Sequence, residues 1–416
     1  MIEPFYILSQ ITVILFVGLI VGIIAKKLKL PSMLLLILTG AVLSNLSFNG
    51  QPAFDLSNDF LISTSILALV LIVFEGSSNF SIKDLDTYSE SAFKIAILVL
   101  TLNLLFFSIA TYYLFSIPSM ILSLLFAAVM SGTDPGGVLS LFQAKSNKIT
   151  EILKFESVIN TPLIVLIPFI LLDLMEFESA FLTNFLGQFF SFLQQIITGV
   201  GTGVVIALVS VRYMRKFYSE RLSPLILLTS ALLAYFLSEQ LGGNGVLAVT
   251  VLGVFFGNLT VKKKPELKEF SNTLSKILEM LVFMLIGFLI PIKLELNFIL
   301  KSLLLFVIMI FIRFLAIQLV YLHDHINIKE RIFMALNCTK GIAVAVVAFI
   351  LSNFTLDIPV IDAGISTIRT LPLVGVAGAT TIIDLMIFFI VYSIILSSIT
   401  AKFSQHFIRL KVEEEE

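Results

Sequence analysis

The sequence predicts an all-α polytopic membrane protein, a bundle of about thirteen transmembrane helices in which two discontinuous helices cross within inverted repeats. Three observations carry this. The 416 residues are 58% hydrophobic and only 13% charged, with a mean hydropathy of +1.05, where soluble domains carry about 25% charged residues. The charges gather in short segments, and the apolar runs between them are long enough for a hydrocarbon core that needs roughly 20 residues per helix. Two of those runs are interrupted by Gly, Pro and polar residues at matching places in the two halves. Only helices and closed barrels satisfy their own backbone groups in lipid, and runs rich in Leu, Ile and Phe without two-residue alternation are helices.

The first run, 5–25, follows Met1-Ile2-Glu3-Pro4 without a basic n-region or small-residue cleavage site, so it is expected to be a span and not a signal peptide. The next are 31–47, 60–75, 92–115, 119–143 and 150–175. The second half supplies 185–211, 223–240, 244–258, 273–290, 296–322, 330–352 and 374–401. No linker is long enough to hold a separate soluble domain. The expected division is a membrane domain over 1–402 and a short cytoplasmic tail over 403–416, closing on the solvated run Glu413–Glu416. The single cysteine, Cys338, excludes an internal disulfide framework. A net charge of −1 offers nothing to nucleic acid.

Alternate loops carry the bases: Lys26, Lys27 and Lys29, then Lys83, then Lys145 and Lys148, and so on to Lys402, Arg409 and Lys411. The opposite loops hold Asp55, Asp59, Glu176, Glu178, Asp357 and Asp362, with Lys293 and Arg369 as their clear bases. The positive-inside rule puts the N-terminus outside and the C-terminus in the cytoplasm, which an odd number of spans allows. The expected location is a plasma (inner) membrane.

Five ionisable residues stand out deep within spans, several residues from the nearest loop: Asp134, Glu156, Arg313, Lys340 and Asp384. Each costs roughly 2.5–3.5 kcal/mol at mid-bilayer on insertion scales and is a functional candidate for that reason. Asp134 sits in Ser131-Gly132-Thr133-Asp134-Pro135-Gly136-Gly137, where Pro and Gly break the helical ladder. The alternative is a loop between two helices with Asp134 as a cap. Asn337-Cys338-Thr339-Lys340-Gly341 interrupts the second run. Opposed half-helix dipoles at such a crossing want a carboxylate and a cation, and Asp134 and Lys340 fit those roles. A snorkelling lysine near a helix end is the alternative for Lys340. On a helix Glu156 with Asn160, and Ser157 with Thr161, are i,i+4 pairs on one polar face. An intramembrane Glu needs a base, and Arg313 is the arginine deepest in a span, so a Glu156–Arg313 pair is expected; two separate cavity-facing charges are the alternative.

At these residues the chain resembles the monovalent cation:proton antiporter family, on its sodium/proton-exchanger branch. Ser131-Gly132-Thr133-Asp134-Pro135 is similar to the family's threonine-aspartate-proline break, and Glu156-Ser157-x-x-Asn160-Thr161 to its E-S-x-x-N-D motif except at the last place. Phe74-Glu75-Gly76, Asn244-Gly245-Val246-Leu247-Ala248-Val249 and Lys340-Gly341 (the family usually has Arg-Gly) fall in the same order. The resemblance implies a dimerisation domain beside a mobile core domain, elevator-like transport, and a homodimer with 185–211 and the N-terminal helices as contact surfaces. It implies that Thr133, Asp134, Ser157, Asn160 and Thr161 line the cation site, that Glu156 and Arg313 form a structural ion pair, and that the transported Na⁺ or K⁺ and H⁺ are the ligands, with no cofactor.

Thr161 stands where the family has the aspartate that binds the cation and titrates. A hydroxyl can coordinate Na⁺ but cannot release a proton at physiological pH. The core then holds Asp134, Glu156 and Asp384 against Arg313 and Lys340. If each base takes one acid, one carboxylate is left to bind either a proton or a cation. Asp134 is the expected exchanging group and Asp384 the reserve. A non-transporting sensor or scaffold, and a carrier of another solute, are the competing functions. His323-Asp324-His325 reads as a solvated loop, and Glu279 as a snorkelling residue near a helix end. No phosphate loop, nucleophile elbow or H-E-x-x-H motif appears, so an enzyme is not expected.

Overall fold

The computed structural model describes residues 4–28, 31–48, 51, 52, 54, 58–78, 87–134, 148–176, 181–219, 221–258, 264–288, 295–322, 326–352, 355–362 and 365–403. Every apolar run named above contains helix. In chain order these are α1 (Pro4–Leu28), α2 (Ser32–Ser44), α3 (Asn58–Ser78) and α4 (Thr87–Leu102). A π-turn, Asn103–Phe107, joins α4 to α5 (Ser108–Phe115). Next come α6 (Met120–Met130), α7 (Lys148–Glu176), α8 (Phe181–Lys216), α9 (Leu222–Gln240), α10 (Gly245–Asn258) and α11 (Lys264–Phe288). The chain closes with α12 (Leu296–Val320), α13 (Ile328–Leu336), α14 (Ile342–Ser352) and α15 (Ala379–Lys402). Among the described residues, eight helical stretches are long and apolar enough to cross a membrane, beside shorter apolar helices such as α2, α6 and α10.

Both runs expected to be interrupted leave the helix where the sequence places the breaks, and two hairpins appear that the runs did not anticipate. The run 330–352 is two helices, α13 and α14, with Asn337–Gly341 non-helical between them. The run 119–143 is helical to Met130, then leaves the helix over Ser131–Asp134, and its remainder lies outside the described residues. Thr355–Asp362 and Ile365–Pro372 form an antiparallel hairpin, β3–β4, and Ser47–Phe48 pairs with Gln51–Pro52 as β1–β2. Hydropathy alone leaves 355–372 as a loop, yet its Ile, Val and Thr content suits a strand. The tail 404–416 and His323-Asp324-His325 lie outside the described residues.

Burial follows helix periodicity. Along α12, Leu300, Leu304, Val307, Phe311 and Leu315 are exposed on one stripe, while Ser302, Leu305, Met309, Ile312, Arg313 and Ala316 are buried on the other. An apolar stripe that faces outward at i,i+3/i+4 spacing is a lipid face, and the opposed stripe carries the one arginine. The interior is continuous from α2, α3 and α11 through α6, α10 and α14 to α15, with Phe107, Phe126 and Phe389 packed ring on ring at centroid distances of 5.2–5.9 Å.

Helices α2 and α11 meet backbone to backbone. A Cβ on Gly40 would run into the Met284 carbonyl, and one on Gly287 into the Ile37 carbonyl. Small residues permit such an approach in lipid, where close packing replaces the hydrophobic drive for association. Gly40→Leu should therefore lower the thermal unfolding midpoint of the detergent-purified protein, at a cost of about 1–3 kcal/mol from overpacking. A midpoint equal to wild type would mean the two backbones do not meet there.

Candidate functional site

The two helix breaks meet. The Asp134 backbone N–H donates to the Thr339 carbonyl at 2.7 Å, so the first break is hydrogen-bonded to the second. Gly341 lies against Asp134 so closely that any Cβ there would collide with its carboxylate. Lys340, 2% exposed, sends its ammonium to the carbonyls of Met130 and Gly132, the latter at 2.8 Å. Charge counting assigns this lysine an acid; its ammonium goes to main-chain carbonyls instead. The reason is local: α6 stops at Met130, its last carbonyls lose their intrahelical partners, and the negative end of the helix dipole attracts a cation. The Lys340 backbone N–H is held by Ser393 Oγ of α15 at 2.9 Å.

Glu156 and Arg313 lie side by side in a bidentate pair. Arg313 Nη1 donates to Glu156 Oε1 at 2.6 Å and Nη2 to Oε2 at 2.8 Å, with side chains 3% and 0% exposed. Arg313 Nε reaches the Met334 carbonyl at 3.3 Å, beside the second break. Glu156 Oε1 also accepts from Thr133 Oγ1 at 3.2 Å and Asn160 Nδ2 at 3.4 Å, while Asn160 Nδ2 lies 3.3 Å from Thr133 Oγ1. The pair thus joins α7, α12, the first break and the end of α13. Asn160 faces this network and is not among the cavity-lining residues.

A cavity of about 100 Å³ opens beside the crossing, lined by Thr133 and Asp134 of the first break, Ser157 and Thr161 of α7, Gly341 of the second break, Ser77 of α3 and Thr250 of α10. It has room for a few waters. Four of its five hydroxyls, all but that of Ser157, share a feature. Thr161 Oγ1 donates to the Ser157 carbonyl at 2.8 Å, Thr250 Oγ1 to Val246 at 2.8 Å, Ser77 Oγ to Val73 at 2.6 Å, and Thr133 Oγ1 to Glu156. A hydroxyl whose proton is committed to a carbonyl or carboxylate still offers lone pairs. These four therefore act as acceptors toward the cavity, which is what a hard, partly dehydrated cation requires.

Four placements bear on the sequence-derived candidates. Thr133, Asp134, Ser157 and Thr161 come together at the cavity. Asp384, half-buried on α15, is not among its lining residues. Ser77 and Thr250 were not expected, because a back-bonded hydroxyl in an apolar helix has no distinguishing sequence signal. Glu279 requires a correction: α11 starts at Lys264, well before the apolar run, so Glu279 sits in its interior and not near an end. It lies within electrostatic reach of both Asp134 and Glu75. Glu75 on α3 is in electrostatic reach of Asp134 and lies near Ser275, one helical turn before Glu279; the Ser275 hydroxyl donates to the Leu71 carbonyl at 3.4 Å.

Comparison with known proteins places these residues in context. The family profile described as the transmembrane sodium/hydrogen exchanger matches residues 11–404. The chain is 26% identical over 296 residues to a probable Na⁺/H⁺ antiporter 2 of Methanocaldococcus jannaschii, covering 67% of this chain and 68% of that one. It is 24% identical over 331 residues to the K⁺/H⁺ antiporter NhaP of Alkalimonas amylolytica, covering 78% of this chain and 57% of the relative. Its fold is similar to that of the sodium proton antiporter MjNhaP1 of M. jannaschii at pH 8, with a TM-score of 0.78 at 21% identity, covering 98% of this chain and 99% of the other.

Removing one member of a buried pair strands the other charge, at a cost of about 3–5 kcal/mol, whereas an apolar pair of similar volume is much milder. Glu156→Gln should lower the unfolding midpoint more than the combined Glu156→Leu and Arg313→Met. Thermal denaturation in detergent checks this; a double variant worse than the single one contradicts it.

Proposed function

This chain belongs to the sodium/hydrogen exchanger family, and we propose that it is a secondary active antiporter that exchanges Na⁺ or K⁺ for H⁺ at the cavity beside the two crossed breaks. The observation that carries this reading is one carboxylate, Asp134, set among four hydroxyls that present acceptors to one small cavity. Relatives named as Na⁺/H⁺ and as K⁺/H⁺ antiporters both support cation exchange, and they leave the choice of cation open.

The local charge inventory supports Asp134 as the exchanging group. Glu156 is matched by Arg313, and Lys340 is matched to the carboxyl end of α6. Glu75 and Glu279 lie within electrostatic reach of Asp134, with Lys276 acting on both. A carboxylate held near other acids in a low-dielectric cavity takes up a proton or a cation to lower its charge. One H⁺ traded for one monovalent cation is electroneutral. Thr133, Ser157 and Thr161 then supply oxygens, and Thr161 leaves the titration to the acids. Asn160 acts by holding Thr133 and Glu156 in place.

Alternating access moves a core domain containing the crossed breaks against a dimerisation domain. The protein is a homodimer in the plasma (inner) membrane, with its N-terminus outside and its C-terminus cytoplasmic, and residues 1–402 form the membrane domain. Loop basicity supports the orientation. The long, outward-facing apolar surfaces of α1 and α8 support those helices as contact or lipid faces.

Purified protein in vesicles with a fluorescent pH-gradient indicator tests the reading. Addition of Na⁺, K⁺ or Li⁺ in turn should collapse the gradient for at least one of them; no response to any of the three sinks the proposal. Asp134→Asn should reduce exchange roughly 100-fold or more, as loss of an essential proton-carrying group does, whereas Asp384→Asn should leave most of it. Thr161→Asp should change apparent cation affinity or the pH profile. Glu279→Gln should raise the cation concentration for half-maximal exchange, and an unaltered value would remove Glu279 from the cavity's electrostatics.

A further inference from the structure

We infer that Asn103, presented by the π-turn of α4, is a positioning residue that sets the end of α6 and hence Asp134. The role rests on the exchange reading for its functional consequence, and on geometry alone for its structural one.

The hydrogen-bond pattern of α4 changes at Asn103. The Ser108 N–H donates to the Asn103 carbonyl, an i→i+5 bond, so one extra residue is accommodated between Asn103 and Phe107. Such π-turns interrupt a helix at a cost and turn its face; they are frequent at functional positions. Both ends of this one face α6. Phe107 stacks on Phe126 with centroids 5.4 Å apart and planes at 30°. Asn103, 1% exposed, donates from Nδ2 to Ser131 Oγ at 3.0 Å.

Ser131 is the first residue beyond α6, and it lies between Met130 and Gly132, the two residues whose carbonyls bind Lys340. Its own proton goes to the Ala127 carbonyl at 2.7 Å, so toward Asn103 it can only accept. That fixes the orientation of the amide: the NH₂ faces Ser131 and Oδ1 faces away. Oδ1 is buried and has no hydrogen-bond partner among the described residues. A chain that keeps a half-satisfied amide in an apolar interior, on a turn that departs from α geometry, has a structural need at that point. The end of α6 is then held from two sides, by Lys340 from the second break and by Asn103 from α4. Three residues beyond Ser131, Asp134 is bonded to Thr339. Letting the α6 end shift moves Asp134 relative to Ser157 and Thr161.

Two readouts test the assignment. The first is exchange in vesicles: Asn103→Leu should raise the apparent KM for the exchanged cation by roughly 3- to 10-fold, the size of one lost neutral hydrogen bond, with a smaller change in maximal rate. Ser131→Ala should do the same, and the double variant should be no worse than either single one. Effects that multiply in the double variant would show that Asn103 does not act through Ser131 and would overturn the proposal. The second readout needs no transport. Cys338, the chain's one cysteine, is fully buried in the second break. Its modification by a membrane-permeant maleimide should be several-fold faster in Asn103→Leu. In Ser302→Ala, which removes a comparable bond to Tyr392 between α12 and α15, it should stay at the wild-type rate. A wild-type labelling rate in Asn103→Leu overturns the positioning role, whether or not the protein exchanges cations. Absent exchange with accelerated labelling would leave the positioning intact and fault the functional reading.

Discussion

Helices that stop inside a bilayer leave main-chain donors and acceptors with no water to satisfy them, and the arrangement of this protein around its cavity is an answer to that constraint. The two breaks satisfy one another. The Asp134 N–H goes to Thr339, the carbonyls of Met130 and Gly132 take the Lys340 ammonium, and Arg313 ties its pair with Glu156 to the Met334 carbonyl. A lysine and an arginine in lipid are costly on their own. Each is tolerated here because it meets groups that would otherwise be stranded. The polar centre is therefore closed with respect to those groups, and the cavity beside it is left with acceptors.

The threonine at 161, where the resemblance implies an aspartate, lies at the cavity with Asp134. A second aspartate on α7 would stand across one small space from Asp134, with Glu75 and Glu279 behind it. Glu75 on α3 and Glu279 on α11 are already within electrostatic reach of Asp134, so a hydroxyl at 161 offers an oxygen without adding a further charge. The Thr161 proton is held by its own helix, at the Ser157 carbonyl, which commits the side chain to accepting.

Much of this was legible in the sequence, and the part that was not has physical causes. Charge-poor runs located the helices, because lipid imposes length and composition on a span. Gly and Pro beside Asp134, and the polar pentapeptide ending at Gly341, located the breaks. The i,i+4 spacing of Glu156 and Asn160 put both on one face. The partner of Lys340 was not legible, because main-chain carbonyls are present at every residue and carry no sequence mark. Glu279 was misjudged for a related reason: the charged first turns of α11 depress local hydropathy, so the apolar run starts later than the helix does. The β3–β4 hairpin escaped because a window tuned to spans averages over strand-length alternation.

The meeting of Gly40 with Gly287 has a mechanical consequence. Two rods in backbone contact, with each glycine set against the other helix's carbonyl, have no side-chain layer between them to shear. Residues 32–44 and 264–288 are thereby coupled as one strut. Glu279 sits two turns along that strut from the weld, so any movement of its backbone relative to Asp134 carries with it a neighbouring helix that bears no charge.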